Sequence, residues 1–176
     1  LFVAVNLSPK QIKSDQFVAR TIGIVRDAGC DPSQIELEVT ETALITDSVV
    51  TMTRLEQLRA AGFRIALDDF GTGYSSLTWL KKFKVDKIKI DRSFTQSIGH
   101  SRDVEAIVGS VITLGHAMGL AVTGEGVETH VEREFLRKAG CDQVQGYLIS
   151  RPVPEDRLPA LLRDPMARGH ASDRAA

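Results

Sequence analysis

Asn6, Glu38, Asp68, Asp69, Lys89 and Glu125 are the residues of this sequence best placed to act together in chemistry. Each stands at or near the carboxyl end of a short apolar run, Glu41, Asp91 and Glu128 follow close behind, and the last such region holds Gln145. If those ends meet, the carboxylates repel one another unless a cation neutralises them. Carboxylates with a carboxamide such as Asn6 make an all-oxygen donor set, which suits Mg²⁺ or Mn²⁺. No cluster of histidine or cysteine argues for zinc. The adjacent pair Asp68-Asp69 can bridge two ions, and two ions roughly 3.5–4 Å apart are a common apparatus for phosphodiester hydrolysis. Lys89 is then suited to orient a nucleophilic water or to stabilise charge on the phosphorane. Any one acidic strand end can be a helix cap or a solvated loop residue. Six consecutive polar strand ends make chance a poor account.

The runs that carry these residues are Phe2–Asn6, Ile35–Val39, Arg64–Leu67, Lys87–Ile90, Ala121–Thr123 and, more weakly, Gln143–Leu148. Helical patterns lie between them. Val104, Ile107, Val108, Val111 and Ile112 form an amphipathic stripe, and Val50, Leu55 and Leu58 a less regular one. Thr129 and Glu132 have the spacing of a capping box. Gly29, Gly62, Gly119 and Gly140 each precede a strand, where a helix should stop. Alternating strand and helix means α/β with a parallel sheet. A doubly wound sheet concentrates its chemistry at one switch point. A barrel gathers functional side chains from many strand ends, and the distribution here favours the (β/α)8 barrel.

The chain has 176 residues, 43% hydrophobic and 26% charged, with a formal net charge of -1. That suits one domain over residues 1–162, followed by a polar, aperiodic tail over 163–176. Long nucleic acid is not an expected partner, because no basic excess is present to grip its phosphates. A small anionic ligand stays open, since a metal ion can supply the positive charge. Cys30 and Cys141 lie far apart and read as buried, reduced thiols of a cytoplasmic protein. No apolar run reaches the ~18 residues of a membrane span, and no signal peptide is evident. The chain opens on Phe2-Val-Ala-Val5 without an initiator Met, so it reads as a piece of a longer protein whose other segments could anchor it to a membrane. Asp69-Phe-Gly71 matches a kinase triplet, but the other kinase loops are absent. Gly71-Thr-Gly73 completes neither a dinucleotide fingerprint nor a P-loop.

Asn6-Leu-Ser-Pro9, Glu36-Leu-Glu-Val-Thr-Glu41, Asp68-Asp-Phe-Gly-Thr-Gly-Tyr-Ser-Ser-Leu77, Lys89-Ile-Asp-Arg-Ser-Phe94, Glu125-Gly-Val-Glu128 and Gln145-Gly-Tyr147 resemble the successive signatures of the EAL domain family, in that family's order. The resemblance implies a TIM-like barrel that cleaves cyclic di-GMP to linear pGpG with two Mg²⁺ or Mn²⁺ ions. It implies that Asn6, Glu38, Asp68, Asp69 and Glu125 bind metal, and that Glu125 is also the catalytic carboxylate. Lys89 would position the attacking water. Glu41 would hold the loop after Asp69 and Glu128 the neighbouring loop. Gln145 would complete the metal-water and phosphate environment, with Asp91 and Arg92 near the ligand. It further implies a homodimer through residues 71–82 and a sensory or cyclase domain upstream. Gly124 departs from the family's usual alanine, without consequence for the chemistry. The Glu-Ala-Leu motif that names the family, and whose glutamate binds metal, is not in this sequence. Six strands against a barrel's eight leave the first two strand-helix units unaccounted for. The alternative function is an inactive cyclic di-GMP receptor or a partner-binding domain.

Overall fold

The computed structural model describes residues 1–45, 48–73, 80 and 83–163. Its centre is one parallel sheet of six strands: β1 (Val3–Leu7), β2 (Ile35–Thr40), β3 (Arg64–Phe70), β4 (Lys87–Ile90), β5 (Ala121–Gly124) and β6 (Gln143–Val144). The strands neighbour one another in chain order, β1 to β6, and every pair is parallel. No strand order reverses, so the sheet has no switch point. It is an arc of a (β/α)8 barrel rather than a doubly wound sheet.

Between β1 and β2 run α1 (Pro9–Ile12) and α2 (Phe17–Asp27), and between β2 and β3 run α3 (Glu41–Ile45) and α4 (Ser48–Ala60). Between β4 and β5 come α5 (Arg92–Thr95) and α6 (Arg102–Ala117). After β5 comes α7 (His130–Lys138), and after β6 comes α8 (Leu158–Arg163). The stripe led by Val104 is α6, with Val108 and Ile112 buried. The capping box of Thr129 and Glu132 starts α7. All four predicted helix-stop glycines have positive φ. The sequence reading does not anticipate α2, although Val18, Ile22 and Val25 pack on the core at helical spacing.

Side chains alternate faces along a strand. Leu37, Val39, Ile65, Leu67, Ile88, Ile90 and Val122 belong to the apolar cores. The alternate positions carry Glu36, Glu38, Asp68, Lys87, Lys89 and Thr123, all buried. The face of the sheet opposite the apolar cores is therefore polar. A buried polar interior is costly unless its members pair, and that cost marks where to look for function.

Asp86 and Asp142 tie the amino ends of the strands. Asp86 accepts the Ile65 N–H at 2.8 Å and pairs with Arg59 at 3.0 Å. Asp142 accepts the Val122 N–H at 2.7 Å and meets His116 Nε2 at 2.9 Å. Gly124 leaves space that Leu136 fills: a Cβ there would stand 2.6 Å from Leu136 Cδ1.

Some expectations need correcting. The first strand is shifted by one residue, and the last is two residues long, because the chain turns at Gly146. A Cβ on Gly146 would lie 2.2 Å from both N and O of Val127, so only glycine lets these two backbones touch. Cys30 is exposed, not buried, and both cysteines are free. Of the expected tail, Arg163 closes α8, and 164–176 lie outside the described residues. Among the described residues, no helix is long and apolar enough to cross a membrane.

Candidate metal centre

Lys89 stands at the middle of the site. Its side chain is 4% exposed, and Nζ lies 2.7 Å from Glu38 Oε1, 3.0 Å from Asp68 Oδ1 and 2.6 Å from Glu125 Oε1. The strand pattern explains the convergence. Glu38 comes from β2, Asp68 from β3, Lys89 from β4 and Glu125 from the residue after β5, all at carboxyl ends. Burial alone would push the ammonium to lose its proton, but contacts with Glu125 and Glu38 outweigh it and hold the Lys89 pKa above the usual lysine range.

Asp69 joins the same cluster by an irregularity. Strict alternation would send Asp68 and Asp69 to opposite faces. Instead the β3–β4 register shifts between Leu67 and Phe70, and Asp69 adopts φ 54. Left-handed backbone is uncommon outside glycine, and bulges of this kind often re-aim a side chain beside an active site. One carboxylate oxygen from each of Asp68, Asp69 and Glu125 then lies within 4.8 Å of the others. Burial, then repulsion from Asp68 and Asp91, raises the Asp69 pKa. Burial also raises that of Glu125, with the Lys89 contact working against the shift and the charges of Asp68 and Glu38 adding to it.

The charge balance tests the metal expectation. Four carboxylates, Glu38, Asp68, Asp69 and Glu125, face one ammonium. Asp68 Oδ1 is buried without a hydrogen-bond partner among the described residues, and Lys89 Nζ meets it as an ion pair at 3.0 Å. A surplus of hard oxygen donors with an orphaned lone pair fits a divalent cation such as Mg²⁺ or Mn²⁺.

The remaining predicted residues surround this centre. Gln145 donates from Nε2 to Glu125 Oε1 at 2.8 Å, the same oxygen that Lys89 meets. Asn6 is exposed and stands opposite Glu38 in the β1–β2 register. Asp91 caps α5 by accepting from Ser93 N at 3.0 Å, and it also contacts the Ser93 hydroxyl. Glu41 is buried, and neither carboxylate oxygen has a hydrogen-bond partner among the described residues. It faces Gly73, where a Cβ would sit 3.3 Å from its Cδ. Glu41 thus abuts the loop after Asp69, whose residues 74–79 lie outside the described residues.

Among the described residues, the contact that ties Glu128 into its loop is made by its backbone N–H. Glu132 Oε2 accepts it at 2.7 Å, and accepts the Thr129 N–H at 3.0 Å. Glu128 lines a cleft of about 510 Å³ with Arg92, Gln96, Gln145, Tyr147 and Arg151. The Arg151 guanidinium lies 4.7 Å from the centroid of the Tyr147 ring. Gly126 has φ 64, and a Cβ there would meet Arg92 Cβ at 2.5 Å, so glycine brings Arg92 against the Glu125 loop. The sequence reading missed Glu36, Lys87 and Gln143. Their signal was the repeated i, i+2 spacing with Glu38, Lys89 and Gln145.

Residues 1–152 match the family model described as the EAL domain. The chain is 41% identical over 156 residues to the bifunctional diguanylate cyclase/cyclic di-GMP phosphodiesterase MucR of Pseudomonas aeruginosa, a match covering 89% of this chain and 23% of that protein. The EAL domain of DcpA from Mycobacterium smegmatis matches with a TM-score of 0.88 at 39% identity, over 93% of this chain and 73% of that one. Klebsiella pneumoniae BlrP1, in its complex with manganese and cyclic di-GMP, matches with a TM-score of 0.81 at 39% identity, over 86% and 39%. The chain spans about a fifth of the length of the curated relatives it matches. With the family model covering most of its length, and with the strand-end carboxylates and Lys89 in one cluster, this chain belongs to the EAL domain family.

Proposed function

We propose that this domain hydrolyses one phosphodiester bond of cyclic di-GMP to give linear pGpG, in a reaction that depends on Mg²⁺ or Mn²⁺. The observation that carries the reading is the surplus of carboxylates around Lys89. The named activity of the MucR relative and the ligands bound to BlrP1 support it. Asp68, Asp69 and Glu125 would hold the cations, with Glu38 and Asn6 completing the set. Bound there, divalent cations polarise the phosphate and make water a stronger nucleophile.

The chain's own residues do the rest. Lys89 is fixed by three carboxylates, so its ammonium is pre-aimed at the place where negative charge gathers. Glu125 is the candidate proton acceptor, and Gln145 sets its orientation. Arg92 and Arg151 bring cationic donors to the adjoining cleft, and Tyr147 brings an aromatic face of the kind on which bases stack. Glu41 supports the loop after Asp69. A homodimer through residues 71–82 belongs to the same proposal, although 74–79 and 81–82 lie outside the described residues. So do a cytoplasmic location and a sensory or cyclase domain elsewhere in the protein.

The test is hydrolysis of cyclic di-GMP by the full-length protein with Mn²⁺ or Mg²⁺, beside its Glu125→Gln variant. The expected result is pGpG from the parent and a loss of about 10³-fold or more in the variant. Binding of the dinucleotide without cleavage by the parent would make the domain a receptor.

A further inference from the structure

Two residues below the metal centre, on the same strands, lies a second set of buried polar side chains that the proposed reaction does not use. Lys87 is 5% exposed and Glu36 is 2%. Lys87 Nζ lies 2.7 Å from Glu36 Oε2 and donates to Oε1 at 2.8 Å. It also donates to Gln143 Oε1 at 2.9 Å and sits 4.4 Å from the centroid of the Phe2 ring.

The strand pattern links this set to the site above it. On β2 Glu36 lies beneath Glu38, and on β4 Lys87 lies beneath Lys89. On and after β6, Gln143 lies beneath Gln145. Side chains two apart on a strand share a face. The backbone ladder joins only neighbouring strands. The Lys87 contacts instead join alternate ones: β4 to β2 past Ala66 of β3, and β4 to β6 past β5. They are chords across the interior, between the strands that lead to Glu38, Lys89 and Gln145.

A buried ion pair is weak evidence for stability, because desolvation offsets its attraction. Holding geometry is the better account of a pair at this place. Resting on the metal reading of the upper layer, we propose that Glu36, Lys87 and Gln143 are positioning residues: they fix the spacing of the donor cluster above them and so its affinity for divalent cations.

The test measures Mn²⁺ affinity of the full-length protein by the free-ion resonance signal, with no nucleotide present. The main variant is Glu36→Gln/Lys87→Met, which removes both charges and keeps the volume. The second is Gln143→Leu, which breaks one chord and strands no charge, so it still reports if the first does not fold. The variants are expected to unfold cooperatively, like the parent, and to bind Mn²⁺ about 10-fold or more weakly, the scale of lost supporting contacts around a metal. Parent-like Mn²⁺ affinity in a folded variant overturns the proposal and reduces the layer to packing. A parent that binds no Mn²⁺ overturns it as well. If the parent binds Mn²⁺ but leaves cyclic di-GMP uncut, the hydrolysis reading falls, while the affinity comparison still decides this one.

Discussion

Strands β2 and β4 present the same two residue types twice, Glu36 with Lys87 and, two residues on, Glu38 with Lys89. Both layers are buried, and both place an ammonium within 2.7 Å of a glutamate. They differ in balance. Below, one carboxylate meets one ammonium, and an amide supplies an acceptor for the remaining proton. Above, four carboxylates crowd one ammonium, one of them, Asp69, brought in by a register shift and a left-handed backbone. Burial and ion pairing alone therefore do not mark a site. An uncompensated sum of charge does, because a fold keeps such an arrangement only where something else completes it.

The contrast is sharpest in stability without metal. Lys87→Met leaves Glu36 buried and alone, and should cost about 3–5 kcal/mol in denaturant unfolding of the full-length apoprotein. Asp68→Asn removes one of the surplus charges above, and should cost under about 1 kcal/mol or even stabilise. Equal losses in the two variants would break the comparison.

Next in size is Asp69→Gly. It removes a carboxylate and relieves a left-handed φ of 54, so the apoprotein should gain about 1 kcal/mol while Mn²⁺ affinity falls. A loss of stability would mean that the backbone here is not strained.

The smallest effect lies outside both layers, at Asp142. Burial raises the Asp142 pKa, but the Val122 N–H and His116 outweigh it, so the folded value lies below the unfolded one. Its contribution is therefore present above the unfolded value, near pH 3.9, and is lost as pH falls through the folded value. Asp142 and His116 are each about two-fifths exposed, so Asp142→Asn should cost under about 1 kcal/mol at pH 7. The difference from the parent should shrink at pH 3, as read by urea titrations at both values.

Much of the upper layer was legible in the sequence because catalytic groups on a parallel barrel sit at carboxyl ends, where an apolar run stops and a polar residue follows. Asp68 and Glu125 follow the ends of their runs, and Glu38 and Lys89 stand one residue before the ends of theirs. The lower layer was not legible, because a charge inside a run, such as Lys87, reads as a solvated strand position until the topology shows that its face is enclosed. The resemblance implied Glu128 as the anchor of the loop after Glu125. Glu132 holds that place because the first turn of α7 aims its carboxylate back at two free N–H groups. The short β6 was over-read for want of the Val127 contact that forces the turn at Gly146.

The clamp of Asp86 on Ile65 is repeated by that of Asp142 on Val122. Laid over each other, they match Arg59, Gly62, Ile65 and Asp68 with His116, Gly119, Val122 and Glu125 at identical spacing. Asp86, Lys87 and Lys89 likewise match Asp142, Gln143 and Gln145. The Asp68–Lys89 and Glu125–Gln145 contacts then occupy equivalent places in two helix–strand–strand segments, α4–β3–β4 and α6–β5–β6. The two segments share one layout with one partner changed, an ammonium in the first and an amide in the second, so the site has one charged arm and one neutral one.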